Sequence, residues 1–179
     1  MLTTERLVLV SPEVIKAPAL LDYHLQNADH FAQAGGTLPE SLGICRQRLK
    51  AETTLWHNDR SYRFYGLLEG KLILDVSLSN LVRGVFQGAH LGYKIAEAHT
   101  GQGLMTEAVD TVVNHAFTRL RLHRIMANYQ PWNTASGRIL DKLGFEQEGL
   151  AKDYLYINGQ WRDHILTSKT NPEFQFSPR

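Results

Sequence analysis

Hydrophobic positions recur in two rhythms along the chain, and each change of rhythm marks an element. The clearest helical rhythm is Leu104, Met105, Ala108, Val109, Val112, Val113, Ala116, Phe117 and Leu120, one apolar stripe at i, i+4, i+8 spacing. Gln102, Thr106, Glu107, Asp110, Asn114 and Arg119 fill the other face, with an acid early and Arg119 and Arg121 late, as a helix dipole favours. Ahead of it, Leu91-Gly92-Tyr93-Lys94-Ile95 ends a strand begun at Val85, and Thr100-Gly101-Gln102-Gly103 is a tight turn between the two. Two earlier stretches read as helices. Residues 14–34 carry Ile15, Leu20, Leu21, Leu25 and Phe31, with Pro18 splitting or delaying the start and Gly35-Gly36 at the end; residues 41–57 carry Leu42, Cys45, Leu49 and Leu55.

The alternating rhythm predicts the strands. Residues 6–11 form an opening strand stopped by Pro12, and residues 62–68 and 72–78 form a hairpin about Glu69-Gly70. Residues 80–88 read as a loop or second turn, and residues 123–129 (HRIMANY) as another apolar strand, so strand, helix and strand follow one another as in a parallel pair. A short helix over residues 133–143 has Asn133 or Thr134 as its N-cap and Gly144 as its stop. Asn158-Gly159 between residues 145–157 and 161–168 is a strong hairpin signal, and Pro172 and Pro178 mark a loose tail over residues 170–179.

Composition narrows the picture. A chain of 179 residues with 43% apolar content supports a single globular domain spanning residues 1–179. Nineteen basic against eighteen acidic side chains, net +1, give no global field that recruits nucleic acid or an anionic membrane, so any RNA or ribosome contact has to be local. A single cysteine, Cys45, excludes an internal disulfide and a cysteine-based metal site, and the eight histidines show no His-x-x-x-His pattern with an acid partner, so no metal is expected. No stretch approaches the ~20 apolar residues of a spanning helix, which predicts a cytoplasmic protein.

The candidate chemistry starts at Gly101 and Gly103. Two glycines before a helix let the backbone turn so that unpaired N–H groups face outward at the positive end of the dipole, a place that holds phosphate; a plain turn gives the same signal. A second constellation decides between them: Asn133, Ser136, Leu143-Gly144-Phe145 and Glu146 or Glu148 resemble the Asn-x-x-Ser, Leu-Gly-Phe element of the GNAT acetyltransferase family. That family's loop, Gln/Arg-x-x-Gly-x-Gly/Ala, falls on Thr100, Gly103 and Met105, where the central glycine alone fits strictly.

The resemblance implies an α/β fold, a mixed central sheet with helices on both faces and a splayed parallel strand pair forming the acetyl-CoA cleft. It implies that Thr100, Gly101, Gln102, Gly103, Leu104, Met105 and Thr106 form the loop that holds the cofactor's pyrophosphate; Thr100 replaces a longer Gln or Arg, so that one family contact is either missing or made by Gln102. Tyr93, Lys94 and Ile95 would pair the pantetheine arm like an added strand, and Asn133 and Ser136 would meet it from the short helix. Relatives in this branch carry a glutamate just ahead of the strand's Gly-Tyr, and His90 holds that position here as the candidate base, with Asp153 and Tyr154 as further candidates lining the acceptor pocket. Ser136 is the candidate acid for the departing thiolate. His90 also reads as a half-exposed strand histidine and Ser136 as an ordinary first-turn serine.

The strings LTTERLV (2–8), NLVRG (80–84), LGY (91–93), GQGLM (101–105), HRIMANY, AKDYL (151–155) and GQWRDH (159–164) are similar to the branch of the family that acetylates alanine-led N-termini of ribosomal proteins. That branch implies a protein N-terminus as acceptor, with monomer or homodimer both open. The alternatives are a small-molecule amine as acceptor, or a non-catalytic CoA-binding ribosome-assembly factor. Arg119, Arg121, His123 and Arg124 are either a solvated helix end or a contact for the cofactor's 3′-phosphate or for ribosomal RNA.

Overall fold

The computed structural model describes residues 1–35 and 38–176; Gly36 and Pro178, which bear on the predicted breaks, lie outside them. The elements run β1 (Leu2–Thr3), β2 (Val8–Val10), α1 (Ala17–Gln26), α2 (Ala28–Ala32), α3 (Leu42–His57), β3 (Tyr62–Leu68), β4 (Lys71–Val82), β5 (Gly88–Ile95), α4 (Leu104–Thr118), β6 (Arg124–Tyr129), α5 (Thr134–Lys142), β7 (Glu146–Ile157) and β8 (Gln160–Thr170). Short 3-10 turns precede α1 at Pro12–Val14 and follow β5 at Glu97–His99. The eight strands form one sheet in the order β1-β2-β3-β4-β5-β6-β8-β7, antiparallel except for the β5–β6 pair.

The predicted stripe of α4 is the main core. Leu104, Met105, Ala108, Val109, Val112, Val113 and Ala116 are buried against Leu74, Val76, Leu78, Ala89, Leu91, Ile125 and Ala127. On the opposite face α1 and α3 bury Leu20, Tyr23, Cys45 and Leu49 against Tyr65 and Leu72, so helices cover both faces. Because strand side chains alternate, Asp75, Ser77, His90, Gly92 and Lys94 share the face turned away from α4.

Three predicted boundaries move, each for a local reason. The helix expected over residues 14–34 breaks at Asn27, whose amide donates to Tyr23 O at 2.8 Å while its carbonyl accepts Glu97 N–H at 2.9 Å, tying α1 to the end of β5. The loop expected at residue 80 is strand as far as Val82, because Asn80 takes a left-handed φ of 50° and the ladder shifts register past it instead of ending. Residues 171–174 are docked, not loose: Asn171 N–H bonds His123 O at 2.8 Å, and the Phe174 ring stands 5.2 Å from that of His123.

Under α1 lies a buried ionic network. Asp75 is 2% exposed and is held by Arg63, by Lys94 at 3.9 Å and by the Tyr23 hydroxyl at 3.3 Å, while Arg63 and Arg48 share Glu52 at 2.8 and 2.9 Å. Burial pushes the Asp75 carboxyl up, but the Arg63 and Lys94 cations outweigh it and hold the group below the ordinary range. His24, 1% exposed, sits beside this network with neither ring nitrogen hydrogen-bonded among the described residues.

Burial, reinforced by the Lys94 and Arg48 cations, lowers the His24 imidazole from 6.5 to about 3. A depressed value means that the unfolded chain holds the extra proton between those two limits, so this part of the stability is complete above 6.5 and is lost as pH falls towards 3. A His24→Leu variant is predicted to lack that loss. Thermal unfolding followed from about pH 7 down to about pH 4.5 should show its midpoint falling less steeply than the parent's, and parallel curves would contradict the assignment.

Candidate active site

The parallel pair stops before its strands do. β5 and β6 are in register from Gly88 opposite Arg124 to Leu91 opposite Ala127 and no further, although β5 continues to Ile95 and β6 to Tyr129. Beyond that point β5 keeps β4 on one side and β6 keeps β8, so the strands splay. The bond from Ala96 N–H to Ile73 O at 2.7 Å fixes the phase of the β4–β5 ladder. Main-chain groups alternate sides, so those of Lys94 face Asp75 on β4, and those of Tyr93 and Ile95 face the gap. Of the three predicted pairing residues, two thus present a free edge. Lys94 is occupied elsewhere: its carbonyl accepts from Tyr23, and its ammonium, lowered to about 8 by burial, stands 4.9 Å over the Phe31 ring.

Beyond the 3-10 turn the chain enters α4 through two left-handed glycines, Gly101 at φ 73° and Gly103 at φ 78°, a conformation glycine adopts without a Cβ penalty. The space a Cβ would enter at Gly101 is empty. The first N–H of α4 with a main-chain acceptor is that of Glu107, on Gly103 O at 3.1 Å; among the described residues, the N–H groups of 101–106 have none. Leu104 and Met105 bury their side chains, so they and Thr106 offer this site their main chain. Six donors at a helix N-terminus fit a pyrophosphate, and the open edge of β5 fits an extended amide-bearing arm. Thr100 bonds its own turn at Glu97 O (2.8 Å), and the Gln102 side-chain amide folds back onto Ala98 O (3.1 Å), so that amide is spent within the turn.

The loop has a brace that sequence patterns concealed. Arg6, between β1 and β2, donates to Gln102 O at 3.0 Å, and its main-chain and side-chain nitrogens grip both Glu107 carboxylate oxygens at 2.8–2.9 Å, with Thr4 bonded to the same carboxylate. The N-terminal strands thereby fix the turn at the mouth of α4.

The gap is wedged by α5. Asn133 caps it, its side chain accepting Ser136 N–H at 3.2 Å, and the Ser136 hydroxyl lies 2.7 Å from the Tyr93 hydroxyl. Burial pushes the Tyr93 phenol up to about 12, so it keeps its proton. Tyr129, at the end of β6, lies against Gly137, where a Cβ would come within 2.9 Å of the ring. Tyr93, Tyr129, Asn133 and Ser136 therefore meet where the strands part, and Tyr129 is a member that motif reasoning passed over.

His90 sits three residues before Tyr93, where the open edge begins, opposite Met126 and on the face away from α4. It is half-buried, and burial lowers its imidazole below the ordinary value, which favours the neutral form. Tyr154 is brought to the same strand region, its hydroxyl accepting from the Asn128 amide at 3.3 Å and its ring 5.5 Å from that of His164. Asp153 is not: it is exposed at a left-handed φ of 47° in an irregular stretch of β7, and its N–H bonds Asp163, which also pairs with Lys152. Arg119 and Arg121 lie past the far end of α4 from Gly103, which rules them out as partners of a phosphate seated at that loop.

Residues 6–146 match the family described as acetyltransferase (GNAT) domain. The chain belongs to the GNAT acetyltransferase family. This GNAT protein is 39% identical to the [ribosomal protein uS5]-alanine N-acetyltransferase of Escherichia coli, over 97% of its own length and 92% of the relative's. The crystal structure of a ribosomal-protein-S5-alanine acetyltransferase from Vibrio fischeri is similar over 94% of both chains, with 35% identity and a TM-score of 0.87. Mycobacterium smegmatis RimJ in complex with a CoA-disulfide is similar at 29% identity and a TM-score of 0.85, over 96% of this chain and 84% of that one. As a GNAT member the protein is an acetyl-CoA-dependent N-acetyltransferase.

The Arg6 brace yields a test. Loss of a few exposed charge-assisted bonds is worth about 0.5–1.5 kcal/mol, so Arg6→Ala should weaken CoA binding about 2- to 10-fold in calorimetry, with the fold retained. Unchanged affinity would show that the loop holds its shape without the brace.

Proposed function

We propose that the protein acetylates the N-terminal α-amine of an alanine-led ribosomal protein in the cytoplasm. The observation that carries this reading is the full-length likeness to the uS5-alanine enzyme. The chemistry of the groove agrees with it. An N-terminal amine has a pKa of about 7.7–8 and a lysine about 10.4, so at neutral pH the former is neutral several hundred-fold more often. The groove offers one half-buried imidazole, His90, as proton acceptor, which suits the weaker base. A polyamine would call for free carboxylates instead. Asp75 is neutralised by Arg63 and Lys94, and Asp163 is paired with Lys152.

Acetyl-CoA supplies the activated acetyl group. The N–H groups of residues 101–106 hold its pyrophosphate, and the free edge at Tyr93 and Ile95 aligns its arm. The Tyr93 N–H, facing the gap, is the candidate donor to the acyl oxygen; such donors are typically worth about 10²- to 10³-fold in rate. Asn133 sets the start of α5 and leaves its amide nitrogen for the cofactor arm. With the phenol as donor in the Tyr93–Ser136 hydroxyl pair, the Ser136 proton turns outward for the departing thiolate, while His90 takes the proton released by the amine. Tyr154 lines the acceptor side through Asn128.

The test is turnover on a peptide copying the alanine-led N-terminus of uS5, followed by mass spectrometry. The parent enzyme should acetylate it, and an N-terminally blocked copy with free lysines should stay unmodified. His90→Ala should lower turnover about 10²-fold with little change in KM for acetyl-CoA. Robust acetylation of spermidine with none of the peptide would remove the acceptor assignment, and a near-normal rate for His90→Ala would remove its role.

A further inference from the structure

At the end of the sheet away from the cofactor cleft, where β5 and β6 begin, a cavity of about 630 Å3 opens between the β4–β5 connection, the end of α4 and the C-terminal stretch. Its volume lies in the range of small-molecule sites. One wall is fixed: Arg83 grips both Asp59 carboxylate oxygens at 2.7 Å and donates to Leu120 O at 2.7 Å. The other cations are not so engaged. Arg119 and Arg121 border the cavity and have no carboxylate partner within ion-pair distance among the described residues. Three aromatic rings, Tyr62, Phe174 and Phe176, border it as well; Phe174 is steadied against His123, while Phe176 is 54% exposed.

The backbone around this cavity is unusual. Asp59, Gln87 and Arg121 all border it, and all three are non-glycine residues at left-handed φ, 54°, 46° and 54°. Arg121 is the telling case. It follows the end of α4, where Gly or Asn is the low-strain choice. A cation near a helix C-terminus gains from the dipole, but the left-handed conformation costs a residue bearing a Cβ at least as much, so helix capping alone does not explain an arginine there. Strain of this kind is retained where the side chain has another use.

We propose that this cavity binds a nucleotide unit, its base stacked among Phe174, Phe176 and Tyr62 and its phosphate on Arg119 and Arg121. Guanidinium forks match phosphate bidentately, and aromatic faces accept any base, which is the combination used for single-stranded nucleic acid. With a net charge of +1, such binding rests on this local patch and not on a global field. The 15 residues of α4 separate the cavity from the Gly103 loop by about 22 Å, so it is a second site and not an extension of the first. The inference stands whether or not the acceptor is a ribosomal protein.

The same chemistry is offered by a free mononucleotide and by an RNA strand, and two probes separate them. With the protein saturated in CoA, AMP is titrated by calorimetry and a labelled single-stranded oligoribonucleotide of about eight residues by fluorescence anisotropy. An Arg119→Ala/Arg121→Gly variant removes both guanidiniums and relieves the left-handed strain, so its thermal midpoint should not fall below the parent's. Binding should weaken about 10-fold or more in the variant. For the oligoribonucleotide the dependence of log K on log salt should flatten by about 0.7, the value for the one phosphate that the missing guanidiniums no longer neutralise. Binding of the strand with none of AMP assigns RNA, and binding of AMP with none of the strand assigns a free nucleotide. Equal affinity in parent and variant, or no binding of either probe to the CoA-saturated parent, overturns the proposal.

Discussion

The structure turns on where one pair of strands stops pairing. Up to Leu91 and Ala127 the parallel ladder of β5 and β6 satisfies both main chains; beyond it, Tyr93 and Ile95 keep main-chain groups directed at a gap. Unpaired peptide groups are costly to bury and are left where water or a ligand reaches them. α5 keeps the gap open: Asn133 starts the helix at its mouth, and Gly137, lacking a Cβ, lets the helix sit against Tyr129. A larger residue at 137 would displace either the Tyr129 ring or α5.

Everything else at the site serves that gap from a distance. α4 stands on the main core, which aims its N-terminus and the N–H groups of residues 101–106, without main-chain acceptors among the described residues, at one end of the opening. Arg6 and Glu107 hold the turn from outside, and Asn27 and Tyr23 hold the end of β5 from the other face. The ionic network around Asp75 keeps that face rigid without offering a charge to the groove, because each carboxylate in it has a cation partner.

How much of this was legible beforehand follows from the range of each interaction. The α4 stripe, the Asn133 cap and the Asn158-Gly159 hairpin are local, written into 3.6-residue periodicity, a capping side chain and a two-residue turn, and the structure shows all three. The Arg6–Glu107 brace joins residues 101 apart, and the Tyr93–Ser136 pair residues 43 apart; neither leaves a periodic trace. Tyr129 read as one more apolar strand residue, since its contact with Gly137 exists only after the strands part. β4 ran past its predicted end because a left-handed Asn80 permits a register shift that turn chemistry reads as a stop. Glycines marked the cradle, but the phase of the ladder, which gives Tyr93 and Ile95 the open edge and Lys94 the closed one, required the pairing itself.

The central claim is that the open edge of β5 and the start of α4 together form the cofactor groove. Amide hydrogen exchange with and without CoA tests it residue by residue. The account predicts new protection at Tyr93, Ile95 and residues 101–106, with the Lys94 amide, already paired to β4, unchanged. Protection that appears elsewhere while these amides exchange as before would contradict it.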